Sequence, residues 1–113
     1  MIPDFQTIML PLLRLLENGQ QYPMADVILK LTDHFGLSEE DLRVKVPSGQ
    51  QPLFKNRVTW AISYLKNAGL ISYPQRGVYQ ITDLGKAVLQ ERPDKINLAY
   101  LKKFDEFKNW VWG

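Results

Sequence analysis

The sequence predicts a single, mainly α-helical domain that carries one small β-hairpin. Apolar residues recur every three to four positions along most of the chain, which is the spacing of amphipathic helices. Two short runs of branched and aromatic residues, joined by a turn sequence, interrupt the helices once. The length of 113 residues and the 45% hydrophobic content suit one core. We therefore expect one domain over residues 1–113.

Two helices are predicted first. One begins near Phe5 and ends at Asn18 and Gly19, and its Pro11 predicts a kink or a late start, because proline lacks the N–H that bonds to the carbonyl four residues back. The second covers about residues 23–35 and ends at Gly36.

A short helix and a long one follow. Ser38 and Asp41 resemble a capping box, which predicts a short helix before a loop that reaches Pro52. The long helix covers about residues 53–68, and Gly69 ends it. Its apolar positions form one stripe, which we expect to be buried: Phe54, Val58, Ala61, Ile62, Leu65 and Ala68.

The hairpin is predicted from residues 70–73 and 78–81, with its turn at residues 74–77. Two more helices follow it, and Pro93 ends the first of them. Their capping and apolar residues are Thr82, Leu84, Val88, Asn97, Leu98, Leu101 and Phe104. The expected order is three long helices, with a short helix before the third, then a hairpin and extra C-terminal helices.

The net charge of +2 hides an uneven distribution. Residues 1–42 hold two basic and seven acidic side chains, whereas residues 43–86 hold seven basic side chains and only Asp83 as an acid. Residues 87–113 are nearly balanced. A basic block in a near-neutral chain indicates a surface for a polyanion. Local imbalance also arises by chance in a chain of this size, so charge alone leaves both interpretations open.

The composition excludes several kinds of chemistry. The sequence has no cysteine and one histidine, His34, so disulfides, thiolate sites and multi-histidine metal sites are absent, and we expect no metal and no cofactor. His34 near a helix end most simply complements the helix dipole, although acid–base chemistry is the alternative. The longest apolar stretch, residues 8–16, is too short to span a bilayer. We expect a soluble, cytoplasmic protein without a membrane partner.

Helices followed by a hairpin give the order of a winged helix-turn-helix, in which the third long helix can enter the major groove of double-stranded DNA and the hairpin tip can contact the backbone. The face opposite the buried stripe supplies hydrogen-bonding side chains for base edges and cations for phosphates. The candidate DNA contacts on that face and at the hairpin turn are Lys55, Asn56, Thr59, Trp60, Ser63, Lys66, Asn67 and Arg76.

Three alternatives stay open for this face. Polar residues opposite a core stripe also form an ordinary solvated surface. Trp60 either packs against another segment of the fold or is available for a ligand. Arg57 lies nearer the buried edge, so it either bridges to an acidic helix end or contacts DNA.

Six segments closely resemble the N-terminal domain of Mrr-type restriction proteins: residues 11–16 (PLLRLL), 35–40 (FGLSEE), 47–52 (PSGQQP), 56–61 (NRVTWA), 64–71 (YLKNAGLI) and 76–82 (RGVYQIT). The resemblance covers about residues 3–107. It implies a DNA-binding winged helix that serves a separate C-terminal endonuclease domain of the PD-(D/E)xK type, which cuts DNA with modified bases. That nuclease domain is missing here, so we expect no catalysis by this chain and no catalytic residue.

Pro93-Asp94 and Glu106-Phe107-Lys108 spell the nuclease motif by coincidence. The chemistry needs the glutamate and the lysine on one side of a strand, beside the aspartate, to hold a magnesium ion. The second segment is predicted to be helical, and a step of two residues then points the two side chains apart. Residues 39–41 are acidic as well, but they suit the first turn of a helix.

The C-terminal segment is more apolar than one short helix requires. We expect Phe104 to pack on the core. Trp110 and Trp112 suit either such packing or contact with a nuclease domain or a second copy of the chain. Two rival functions remain: a dimeric transcription regulator with the same fold, and a winged helix whose basic face meets an acidic protein.

Overall fold

A computed structural model describes residues 2–104 of the chain. This part contains six helices and one small sheet, in the order α1 Phe5–Leu15, β1 Tyr22–Pro23, α2 Met24–Phe35, α3 Glu39–Arg43, α4 Leu53–Asn67, β2 Ile71–Gln75, β3 Val78–Ile81, α5 Asp83–Gln90 and α6 Leu98–Leu101. The predicted fold class, mainly helical with a hairpin, is confirmed. Within residues 2–104 no helix is both long and apolar enough to cross a membrane.

Helix α1 begins directly after its N-cap residue, Asp4. The Asp4 carboxylate accepts a hydrogen bond of 2.7 Å from the Thr7 backbone N–H, and the helix begins at Phe5. The helix then continues through Pro11, so the predicted late start is wrong. Buried side chains on both sides of Pro11, among them Ile8 and Leu12, anchor α1 in the core and offset the missing backbone hydrogen bond.

The ends of α2 and α3 follow local sequence signals. Gly36 ends α2 in the left-handed conformation, with φ of +62°. The capping box is confirmed: the Asp41 N–H donates to the Ser38 hydroxyl oxygen at 3.1 Å, and the Ser38 N–H donates to the Asp41 carboxylate at 3.0 Å. Helix α2 begins one residue later than predicted, because Pro23 is its N-cap and belongs to strand β1.

The sheet has three antiparallel strands in the order β1-β3-β2, and the sequence predicted only two of them. Strand β1 pairs Tyr22 with Tyr79, and the Met24 N–H donates to the Gly77 carbonyl at 2.9 Å. The hairpin turn is also shorter than predicted. Pro74 and Gln75 extend β2, so that the turn is reduced to two residues, 76 and 77, and a bulge separates Ser72 from Gln75.

The core lies between α1 and α4 and is closed by the sheet and α5. Its largest fully buried side chains come from most of the elements: Phe54, Ile8, Met9, Leu12, Leu13, Leu16, Leu31, Leu65, Leu70, Ile96 and Leu101. Gly85 lets α5 approach the Leu70 carbonyl so closely that a Cβ would overlap it. Phe104 packs against this core, as predicted.

Candidate nucleic-acid interface

Helix α4 buries one face and presents the other. All six stripe residues predicted to be buried are at most 5% exposed. Each predicted contact residue on α4 lies outside that stripe. Lys55, Thr59 and Trp60 are exposed, and the half-buried ones are Asn56, Ser63, Lys66 and Asn67.

A cleft of about 540 Å³ separates the outer face of α4 from the hairpin. We call it the α4–hairpin cleft, and its lining residues are Thr59, Ile62, Ser63, Lys66, Tyr73, Pro74, Gln75, Arg76, Gly77 and Tyr79. It brings together four of the eight predicted contact residues, three from α4 and Arg76 from the hairpin turn. Residues distant in sequence thus share one surface.

The other four predicted residues lie outside the cleft lining. At 100° per residue, Lys55 falls on the same side of α4 as Thr59 and Lys66, one turn before the cleft. Asn56, Trp60 and Asn67 fall further round the helix, away from the hairpin. The predicted set therefore occupies two neighbouring rows of one exposed helix face.

Trp60 contacts its own helix. Its ring centroid lies 6.1 Å from that of Tyr64, which in turn stacks on Phe5 of α1 at 5.1 Å. Trp60 is nevertheless 49% exposed. Its packing thus leaves about half of the side chain accessible.

The cleft is cationic. Among its described lining residues are two cations, Lys66 and Arg76, and no carboxylate. The Lys66 ammonium lies 4.6 Å from the centre of the Tyr73 ring, a cation–π contact between α4 and the hairpin. Within residues 2–104, the side chains of Lys55 and Arg76 form no hydrogen bond or ion pair. Gly77, with φ of +76°, permits the tight turn that carries Arg76 at the tip.

Two of the polar side chains are already engaged within α4. The Thr59 hydroxyl donates to the Lys55 carbonyl at 2.9 Å, and the Asn67 amide nitrogen donates to the Ser63 carbonyl at 2.7 Å. Thr59 therefore offers a ligand its methyl group and an acceptor oxygen, and Asn67 keeps its amide oxygen.

The hairpin supplies residues that the sequence did not predict. Tyr73, Pro74, Gln75 and Tyr79 all line the cleft. Burial raises the pKa of the Tyr79 phenol. The signal was present in the aromatic residues of the two predicted strands, but the side of the hairpin that faces α4 depends on the bulge at Tyr73 and Pro74.

Arg57 has a structural role. Its guanidinium donates to the backbone carbonyls of Ile2 at 3.0 Å and Pro3 at 3.2 Å, and so fixes the segment before α1. The Thr7 N–H is the main cause that lowers the pKa of Asp4, and the charge of Arg57 adds a small contribution. Arg57 therefore bridges to backbone carbonyls just before α1, near the Asp4 carboxylate, and the alternative of a DNA contact stays a prediction.

Other predicted features have less bearing on this surface. His34 is exposed in the last turn of α2, 4.8 Å from the Phe35 ring in an edge contact. Over residues 2–104 no group of three or more metal-ligating side chains comes together. Trp110, Trp112 and the Glu106-Phe107-Lys108 segment lie outside the described residues.

The comparisons with known proteins give one match. The model of the Mrr N-terminal domain matches residues 5–91, which is more than half of the chain and includes all eight predicted contact residues. Neither the comparison with curated proteins nor that with solved structures gave a match. The length of the family match is sufficient for assignment, and the chain therefore belongs to the Mrr N-terminal domain family of restriction proteins.

Proposed function

We propose that this chain is a non-catalytic DNA-binding module that directs a separate endonuclease domain of a Mrr-type restriction system to double-stranded DNA in the cytoplasm. The observation that carries the proposal is the α4–hairpin cleft. It joins Thr59, Ser63 and Lys66 of the helix to Arg76 of the hairpin on one cationic surface. Family membership supports the restriction context.

The proposed arrangement is a winged helix-turn-helix. In its support, β1 follows α1, the long helix α4 precedes the hairpin, and β1 pairs with β3 to make a three-stranded sheet. Helix α4 then acts as the recognition helix and the hairpin as the wing. The hydrogen bond from the Met24 N–H to the Gly77 carbonyl holds the wing tip against the start of α2.

The proposed mechanism separates attraction from sequence reading. Lys55, Lys66 and Arg76 attract phosphates, whose contacts position a protein on DNA without specifying sequence. Asn56 and Ser63 donate and accept hydrogen bonds at base edges in the major groove, which is wide enough for a helix. Asn67 extends the same polar surface by one turn.

A base methyl group projects into the major groove and is read by apolar contact. The Thr59 methyl group and the exposed part of the Trp60 ring are the two candidates for such a contact. They lie on neighbouring rows of α4. We therefore propose that, if this module discriminates methylated DNA, these two side chains do so.

Fluorescence anisotropy tests the interface. We would titrate the protein into matched unmodified, adenine-methylated and cytosine-methylated duplexes over a salt series, with Lys55→Glu, Arg76→Glu and Ser63→Ala variants. Each phosphate contact contributes about −0.9 to the slope of log K against log salt. We expect a steep slope that the two charge reversals flatten, and Ser63→Ala to reduce the affinity.

Arg43→Glu is the matched control, because Arg43 lies outside the cleft in an exposed ion pair with Glu39. It should change the slope less than Lys55→Glu or Arg76→Glu does. Absence of duplex binding at low salt would reject the proposal and favour an acidic protein partner. Binding by a dimer, seen as a concentration-dependent mass, would instead favour a transcription regulator.

A further inference from the structure

We propose that the α4–hairpin cleft accepts one unpaired nucleotide of the bound DNA, with its base stacked on Tyr73 and its phosphate held by Lys66 and Arg76. This inference rests on the proposed function, because it concerns the same surface. It adds a preferred substrate class: duplexes that contain an unpaired base. The lining of the cleft, the position of Tyr73 and the charges at the rim carry it.

The lining suits the flat face of a base. Besides its cations and hydroxyl groups, the cleft contains Ile62, Tyr73, Pro74 and Tyr79, which offer aromatic and apolar surface. Contacts with phosphates need polar donors, and apolar contact with the edge of a paired base is confined to its methyl group, so neither accounts for two tyrosine rings beside a proline. The volume of about 540 Å³ also falls in the range of roughly 300–1,000 Å³ that is typical of sites for small ligands.

Tyr73 is placed by an irregularity of the sheet. The bulge lies between Ser72 and Gln75, and Pro74 within it has no N–H for the sheet. Bulges redirect side chains and are common beside functional sites. Tyr73 lines the cleft and yet is 56% exposed, so its ring is accessible to a ligand.

When a nucleotide binds, its base takes the place of the Lys66 ammonium on the Tyr73 ring. The ammonium now lies 4.6 Å from the ring centre. Stacking of a base on an aromatic ring is worth more than a cation–π contact at an exposed site, so a base displaces the ammonium. The displaced Lys66 and the exposed Arg76 then meet the phosphate of the same nucleotide. No carboxylate among the described lining residues opposes that charge.

Three duplexes that differ at a single position test the inference. One is fully paired, one carries a single additional unpaired 2-aminopurine, and one carries an abasic residue at the same position. We expect about tenfold tighter binding of the duplex with the unpaired base than of either other duplex, since stacking of one base supplies an effect of that order. The 2-aminopurine fluorescence should fall on binding, because its ring stacks on Tyr73.

Variants connect the preference to Tyr73. In Tyr73→Ala the ratio of the affinities for the unpaired and paired duplexes should fall to about one, whereas Tyr73→Phe should keep it, because stacking needs the ring and not the hydroxyl group. Leu29→Ala is the control, since Leu29 is a similarly exposed apolar side chain, at 62%, outside the cleft. Circular dichroism would verify that each variant is folded.

The outcomes separate this inference from the proposed function. The inference would be wrong, although duplex binding stands, if the protein bound all three duplexes with equal affinity or bound the abasic duplex as tightly as the one with the unpaired base. It would also be wrong if Tyr73→Ala left the ratio of the affinities for the unpaired and paired duplexes unchanged. Loss of binding to all three duplexes by the unmodified protein would overturn the proposed function, and this inference with it.

Discussion

Residues 1–42 and residues 43–86 carry charge imbalances of similar size and opposite sign, and the structure uses them differently. Most carboxylates of the acidic region stand at helix N-termini. Asp4 caps α1, Asp26 lies in the first turn of α2, and residues 39–41 form the first turn of α3. Negative charge at these positions satisfies backbone N–H groups and the helix dipole. Most of the negative charge of the acidic region is therefore explained by its role at helix N-termini.

The basic region is divided. Arg43 pairs with Glu39, and Arg57 donates to backbone carbonyls of the segment before α1. Lys66 and Arg76 instead stand at the α4–hairpin cleft without a carboxylate among its described lining residues, and Lys55 lies one turn away. The difference shows that a charge imbalance indicates a ligand only when it remains after leaving out the charged residues that stabilise helix ends or contact other groups of the fold.

The largest expected effect compares two double charge reversals. Lys66→Glu/Arg76→Glu removes both cleft cations, and Arg43→Glu/Lys86→Glu changes the net charge equally outside the cleft. We expect the cleft variant to bind duplex DNA on the order of a hundredfold more weakly, with a salt slope flatter by about two units, because two phosphate contacts become repulsive. Anisotropy titrations over a salt series measure both quantities.

The outside variant should lose much less affinity, since it alters only the overall field of the protein. Equal losses in the two double variants would show that net charge, and not position in the cleft, determines binding. The distinction between basic residues in the cleft and basic residues outside it would then have no bearing on function.

Arg57 provides a more moderate test, because it is a structural cation inside the basic region. Arg57→Ala should lower the free energy of unfolding by about 1 to 2 kcal/mol, since it removes hydrogen bonds from a charged donor to the carbonyls of Ile2 and Pro3. Urea denaturation measures this. Lys55→Ala, an exposed cation two positions earlier, is the control and should stay within about 0.5 kcal/mol of the unmodified protein.

A contrary result would place Arg57 among the cations that contact DNA. If Arg57→Ala leaves stability unchanged and weakens DNA binding as strongly as Lys55→Ala does, Arg57 is a DNA contact. The division of the basic region drawn from its hydrogen bonds would then be wrong at this residue.

The sequence predicted the helical half of the site better than the hairpin half, for physical reasons. A long helix such as α4 buries one face through a repeating pattern, so the stripe from Phe54 to Ala68 and the opposite polar face were both predictable. Capping is equally local, and the box of Ser38 and Asp41 formed as its spacing predicted. Signals of this kind need no knowledge of the rest of the fold.

The features that were missed depend on distant pairing. Strand β1 is only two residues long, so it shows no alternation, and it exists because Tyr22 pairs with Tyr79 far along the chain. The bulge beside Tyr73 and the shortened turn likewise follow from register between strands. Apart from Arg76 at the turn, the contribution of the hairpin to the cleft could therefore not be predicted from the sequence.

The smallest effect concerns Asp4, on the acidic side of the comparison. Asp4→Ala should lower the free energy of unfolding by about 1 kcal/mol, because it removes the side-chain acceptor for the Thr7 N–H. Duplex affinity should change little, since Asp4 lies outside the cleft. Thermal and urea unfolding at neutral pH measure the cost, and a loss of affinity comparable to that of a cleft variant would contradict the structural role.

Asp4→Asn separates the charge of this cap from its hydrogen bond, because asparagine caps helices about as well as aspartate. The hydrogen bond from Thr7 holds the pKa of Asp4 below its ordinary value. Its ionised form therefore stabilises the fold at pH values above about 4, and this contribution is lost as the pH falls through the lowered pKa. Unfolding measured from pH 7 down to about pH 2 should show a smaller loss of stability in Asp4→Asn than in the unmodified protein. Part of the loss should remain, because the Ser38 N–H lowers the pKa of Asp41 in the same direction. Identical profiles would show that the charge of Asp4 contributes nothing and that the hydrogen bond alone explains its position at the start of α1.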